Sequence, residues 1–101
     1  MSKLSVVVEF QVRPEDMARF YPLLCGHAAT SLAEDQGCER FDVMRPMKSD
    51  GRVLIYEIWA SQAALGVHAD SAHTAQYRAA SEGMVQNRKL TICALSEGGK
   101  A

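Results

Sequence analysis

The chain has 101 residues, a formal net charge of -1, and 48% hydrophobic and 23% charged side chains. That allows one domain with a modest core and gives no electrostatic case for nucleic acid or an anionic membrane. Its three cysteines, Cys25, Cys38 and Cys93, are odd in number and form no C-x-x-C pair, so they indicate neither a disulfide framework nor a zinc knuckle and fit a reducing, cytoplasmic setting. No apolar stretch approaches the roughly 18 residues of a membrane span, and Leu4 to Phe10, broken by Glu9, is too short for a signal segment.

The run Leu4 to Val12 is rich in β-branched residues. It places Val6, Val8, Phe10 and Val12 on one face and Val7, Glu9 and Gln11 on the other, which predicts a strand. Arg13-Pro14-Glu15-Asp16 then brings a proline and two acids to a helix start, where the acids complement the helix dipole. Met17, Phe20, Leu24 and Ala28 recur at three- and four-residue steps toward Asp35, and Gly37 lies just past the expected end. Pro22 falls near the first turns and marks at most a kink.

Glu39 to Met47 alternates and predicts a second strand. Lys48-Ser49-Asp50-Gly51 predicts a tight hairpin into a third strand, Val53 to Trp59. Ser61 is placed to cap a helix from Gln62, with Gly66 expected to break it before a second stretch from Ser71 to Val85. Lys89 to Leu95 reads as the last strand. Residues 1–96 thus read as a single domain and 97–101 as a flexible tail.

The order β-α-β-β-α-β predicts an α+β, ferredoxin-like fold: a four-stranded antiparallel sheet with its helices on one face. The opposite face, with side chains such as Val7, Ile55 and Ile92, is expected to be buried sheet to sheet in a homodimer.

Three histidines attract attention. His73 shares a helix face with Tyr77 at i+4, and His27 lies one turn beyond Leu24, so both are candidates to look into the space between sheet and helices as catalytic bases. His68, five residues before His73, falls about 140° away around a continuous helix, which separates the two. They therefore make no metal pair, and no metal is expected. On the third strand Tyr56 and Ile58 alternate against Glu57 and Trp59, so only one pair can line the cavity. Glu57 is either a structural partner of an arginine or part of the site, because a carboxylate on a buried strand must be paired or shifted in pKa. Arg40, Arg45, Lys48, Arg52 and Arg78 are the cations a phosphorylated substrate would need, although dispersed charges are ordinarily solvated surface.

Ser31 to Val43 (S-L-A-E-D-Q-G-C-E-R-F-D-V), Y-E-I-W at 56 to 59 and A-A-L-G-V-H-A-D-S-A-H from Ala63 to His73 resemble the antibiotic biosynthesis monooxygenase superfamily of dimeric α+β barrels. Within it the chain is most similar to quinol monooxygenases. The resemblance implies a cofactor-independent oxygenase in which a deprotonated, electron-rich aromatic reacts directly with dioxygen. On that reading His73 or His27 is the base, and Tyr77, Tyr56, Glu57, Trp59 and His68 bind substrate. It also implies two alternatives: an isomerase of a small phosphorylated dione, using the same histidines and an arginine for phosphate, and a non-catalytic binding member. Heme degradation is the remotest, because the chain lacks a heme-specific pattern.

Overall fold

The computed structural model describes residues 3–100. Four strands and three helices follow one another as β1 (Leu4–Val12), α1 (Met17–Glu34), β2 (Cys38–Met44), β3 (Arg52–Trp59), α2 (Gln62–Ala69), α3 (Ala72–Ala80) and β4 (Val85–Ala94). The 3₁₀ turn Pro14–Asp16 leads into α1, and another, Glu97–Gly99, follows β4. The sheet order is β2-β3-β1-β4 with every neighbour antiparallel, the expected ferredoxin-like arrangement.

The faces of the sheet follow from register, since directly paired residues point to the same side. Val6 pairs with Glu57 and Ile92, Val8 with Ile55 and Leu90, and Phe10 with Val53 and Arg88. These form the face turned toward the helices. Val6, Val8, Phe10, Val12, Val53, Ile55 and Trp59 pack there with Phe41 of β2 against Met17, Phe20, Leu24 and Ala28 of α1. Each fully buried side chain of this size contributes roughly 1.5–3 kcal/mol by leaving water, so the strip spanning α1 and the sheet centre carries most of the hydrophobic stabilisation. α1 runs unbroken across Pro22.

The opposite face differs from expectation. Val7 lies on it, paired with Tyr56 and Thr91, but Ile55 is core at 4% exposure and Ile92, paired with Val6, faces the helix side. Leu54, Tyr56 and Ile58 join Val7 among Glu9, Arg40, Asp42 and Lys89, and Arg52 and Glu9 form an ion pair. Apolar and charged side chains are therefore interleaved there.

Other boundaries shift for local reasons. β2 stops at Met44, the last residue paired with β3, because Pro46 cannot donate to a ladder. Gly66 does not break α2, which runs through it to Ala69; the break falls at Asp70 and Ser71. α3 ends at Ala80, Gly83 takes a left-handed φ of 82°, and β4 begins at Val85, four residues before Lys89. Cys25 and Cys38 are half-buried, as small packing residues are, whereas Cys93 is exposed. Of the tail, Ala101 lies outside the described residues. No helix among the described residues is long and apolar enough to cross a membrane.

Candidate active site

The α2–α3 corner brings the histidines together. Ser61 caps α2 by accepting the Ala64 amide at 3.1 Å. Ser71 caps α3 by accepting the Thr74 amide at 3.3 Å, while the Thr74 hydroxyl donates to the His68 carbonyl at 2.8 Å. The chain therefore turns between His68, in the last turn of α2, and His73, in the first turn of α3. The angle expected for a continuous helix does not apply, and the two rings lie 5.6 Å apart, centroid to centroid.

Both rings meet Asp35. His68 Nδ1 is 2.6 Å from Asp35 Oδ2, and His73 Nε2 is 2.9 Å from both carboxylate oxygens. Asp35 is the C-cap of α1, where a carboxylate opposes the helix dipole and needs donors of its own. The turn after it is held by the Cys38 amide, which donates to the Asp35 carbonyl at 3.1 Å. Gly37 completes it with φ 87°; a Cβ there would lie 2.6 Å from the Ala64 Cβ, so the turn and the close approach of α2 both require glycine. Burial alone would raise the Asp35 pKa, but the hydrogen bonds from His68 and His73 outweigh it and hold the carboxyl below its ordinary value.

An ionised carboxylate only accepts, so Asp35 fixes the donor nitrogens: Nδ1–H of His68 and Nε2–H of His73. In the His73 tautomer that carries its one proton on Nε2, Nδ1 is an acceptor, and it lies 3.3 Å from His27 Nδ1. His27 then donates from Nδ1. The consequence reaches the cavity: His27 and His68 both keep Nε2 as a bare lone pair, each ring having spent its other nitrogen on the Asp35 network. Burial pushes His27 down to about 4, helped by the neighbouring His68 and His73. Burial also lowers His68, but Asp35 pulls in the opposite direction. Of the two, His68 has the carboxylate against its ring and is the stronger base.

His27 and His68 line a cavity of about 410 Å³ between helices and sheet, with Leu24, Phe41, Ile55, Leu65 and Leu90 among its apolar walls. Tyr77 lines it too, its ring stacked on His27 at 4.5 Å, and burial pushes its hydroxyl up to about 12. Glu57 reaches it from β3, accepting the Trp59 indole N–H at 2.8 Å; burial pushes this carboxyl up to about 7 against the pull of Trp59 and Arg88. Trp59, fully buried, backs the site with its ring 4.6 Å from that of His68. Arg78, Glu82 and Arg88 stand on the exposed side of the lining.

The expected site residues thus divide. His27, His68, Glu57 and Tyr77 converge on one cavity. His73 stands behind His27 and His68 and is not among the lining residues, and Trp59 supports the wall without forming it. Tyr56 points to the other sheet face, paired with Val7 and Asp42, and takes no part in the cavity. The chain's sequence reading missed Asp35, although an acid at a helix C-terminus is a signal that it has partners elsewhere. It also missed Arg88, whose helix-side placement depends on pairing with Phe10. Asp35, His68 and His73 place one donor atom each within 4.8 Å of one another, a set able to hold a cation. Of these three, His68 lines the cavity, whereas Asp35 and His73 stand behind it. The Cys38 thiol, pushed up to about 11 mainly by burial, is no nucleophile.

Comparison with known proteins agrees with this architecture. The family model described as antibiotic biosynthesis monooxygenase matches residues 4–80. No curated protein matches the chain. Among solved structures, a Caulobacter crescentus protein described as a candidate antibiotic biosynthesis monooxygenase superposes with a TM-score of 0.90 at 23% identity, over 95% of this chain and 92% of that one. Rv0793 of Mycobacterium tuberculosis gives a TM-score of 0.86 at 23% identity, over 98% and 100%. PA3566 of Pseudomonas aeruginosa gives 0.86 at 20%, over 95% and 96%. At these identities the likeness is one of fold.

Proposed function

The chain belongs to the antibiotic biosynthesis monooxygenase family, and from that premise we propose that it is a cofactor-independent monooxygenase acting on a quinol-like aromatic. The observation that carries the reading is an apolar cavity lined by two imidazoles whose Nδ1 atoms are engaged by the half-buried Asp35 carboxylate and by His73, which leaves Nε2 of each to accept a proton. His68 takes a hydroxyl proton from the quinol, and Asp35 stabilises the imidazolium so formed, as a carboxylate does behind any histidine base. His27 accepts from the second hydroxyl and orients the ring. The anion transfers electrons to dioxygen and a ring C–O bond forms. The ring proton passes to the outer peroxide oxygen as the O–O bond breaks, which leaves one oxygen on the ring and releases hydroxide, and the hydroxide takes the proton held by His68 to become water. Quinol and dioxygen give hydroxyquinone and water, so no outside reductant is required.

Dioxygen uptake with a panel of quinols tests this. His68→Ala is expected to lower kcat/KM by about 10²-fold or more. His27→Ala should lose less, and His73→Phe, which acts through His27 and Asp35, about tenfold. Tyr56→Phe, on the far sheet face, should stay within twofold. No uptake by the wild-type protein with any quinol would end the oxygenase reading.

A second reading is an isomerase of a small phosphorylated dione. It is favoured by Glu57, whose raised pKa keeps a proton donor in the same cavity as the imidazole bases. Turnover of such a dione without dioxygen consumption would select it. The open cavity speaks against a member that has filled its site. We also read the chain as a homodimer closed through the face bearing Val7, Leu54, Tyr56 and Ile58. Sedimentation at the mass of two chains, shifted toward one by Tyr56→Lys, is the expected result; a one-chain mass at high concentration would contradict it.

A further inference from the structure

The chain has seven arginines, and their partners sort them. Arg13 and Arg19 are paired with Asp16, Arg40 with Asp42, and Arg52 with Glu9. Arg45 lies over the Tyr21 ring, 5.3 Å from its centroid. The other two, Arg78 and Arg88, have no carboxylate within ion-pair distance among the described residues, and both line the cavity. Arg78 sits in the last turn of α3 and Arg88 on β4, opposite Phe10. They approach the opening from two elements and are exposed, whereas the imidazoles are buried deeper.

We propose that Arg78 and Arg88 form an oxyanion subsite at the cavity mouth, so that the substrate is an aromatic carrying a carboxylate or phosphate at the end remote from the imidazoles. The proposal rests on the reading of this cavity as the substrate site. Two guanidiniums without carboxylate partners, beside apolar walls, supply the forked donors that a planar or tetrahedral oxyanion takes. The fields of the two arginines overlap within the site. Arg78 bears on His27, His68 and Tyr77, and Arg88 on Glu57 and Tyr77. Room is also present. An apolar cavity of about 150 Å³ accommodates benzene, so about 410 Å³ leaves space for a ring and a charged arm. Glu82, the one acid at the exposed rim, lines the same mouth and would oppose an oxyanion. It is paired with neither arginine, so its replacement by glutamine should tighten anion binding.

Anaerobic calorimetric titration tests the subsite without turnover, using hydroquinone, 2,5-dihydroxybenzoate and phenyl phosphate. The wild-type protein is expected to bind at least one of the two anions 10-fold or more tighter than hydroquinone, and the preferred anion identifies the group. Arg78→Gln/Arg88→Gln should abolish that preference while leaving hydroquinone affinity within twofold, and Glu82→Gln should strengthen anion binding two- to threefold. Equal affinity for neutral and anionic ligands, anion binding that survives the double substitution, or no binding of any of the three would overturn the proposal. Arginine-dependent anion binding without dioxygen uptake would retain the subsite and discard the oxygenase chemistry.

Discussion

Replacing Glu57 by glutamine is expected to stabilise the fold by about 3 kcal/mol at pH 8 and to change it little at pH 5. The Glu57 carboxyl rises from an ordinary 4.5 to about 7 in the folded chain, and each unit corresponds to about 1.4 kcal/mol between protonation states. Its cause is first of all burial on a strand facing the core. The indole N–H of Trp59 and the charge of Arg88 favour ionisation but do not restore it. The folded state therefore holds this proton more tightly than the unfolded chain does. Stability is undiminished below the unfolded pKa and is lost as pH rises through the folded one, between about 4.5 and 7. Glutamine keeps the acceptor for Trp59 and cannot ionise, so it removes that loss.

His27 acts in the opposite sense. Its pKa falls to about 4, so its contribution is present above the ordinary 6.5 and is lost as pH drops toward 4. Lowered His68 works in the same direction. The two tendencies overlap, and wild-type stability between pH 4.5 and 6.5 should vary less than either alone implies. The difference between the variant and the wild type isolates Glu57, because neither histidine is among the groups that shift it. Urea unfolding at pH 5 and pH 8 measures it. A variant no more stable than wild type at pH 8 would mean that Glu57 is ionised and paired in solution.

Asp35→Asn is expected to lower quinol-dependent dioxygen uptake by about 10²–10⁴-fold while leaving the fold intact, the range associated with a lost base or a wrong tautomer. Asparagine has one acceptor oxygen and one donor nitrogen where the carboxylate has two acceptors. One of the two imidazoles must then turn its lone pair toward the amide, which reverses the polarity of its far nitrogen. If His68 is affected, the base is lost directly; if His73, its Nδ1 becomes a donor and His27 must present Nε2–H to the cavity. The effect should fall on kcat with little change in the affinity for a redox-inert ligand measured anaerobically. An activity loss accompanied by an equal loss of ligand binding would instead assign Asp35 a purely structural part.

The fold was legible because its signals are local. Alternation in Leu4–Val12 delimits β1 to the residue and Ser61 caps α2 as its position suggests, but the tight Asp50-Gly51 hairpin does not form: residues 45–51 join β2 to β3, and the left-handed φ falls on Lys48. β4 was less so: Gln86-Asn87-Arg88 has no strand pattern, and its strand state comes from pairing with Asn87 opposite Gln11 and Arg88 opposite Phe10. The site was half legible. Histidines and a strand carboxylate stand out in any sequence, and strand periodicity separates Tyr56 from Glu57. What joins them is non-local. A corner at Asp70 and Ser71 turns two histidines toward a carboxylate 33 and 38 residues earlier in the chain, and no helical angle anticipates it. Consequently His73, the first candidate base, stands behind the cavity, and His68, read as a substrate contact, takes the place nearest to both Asp35 and the cavity.

One carboxylate is expected to set the proton positions of three imidazoles. Long-range ¹H–¹⁵N correlation of the histidine rings at pH 7.5 tests it directly. Nδ1–H tautomers are expected for His27 and His68 and an Nε2–H tautomer for His73, with the His27 and His68 assignments disturbed in Asp35→Asn. An Nε2–H tautomer at His68 or His27 in the wild-type protein would contradict it, because the cavity would then hold a donor where the proposed chemistry needs an acceptor.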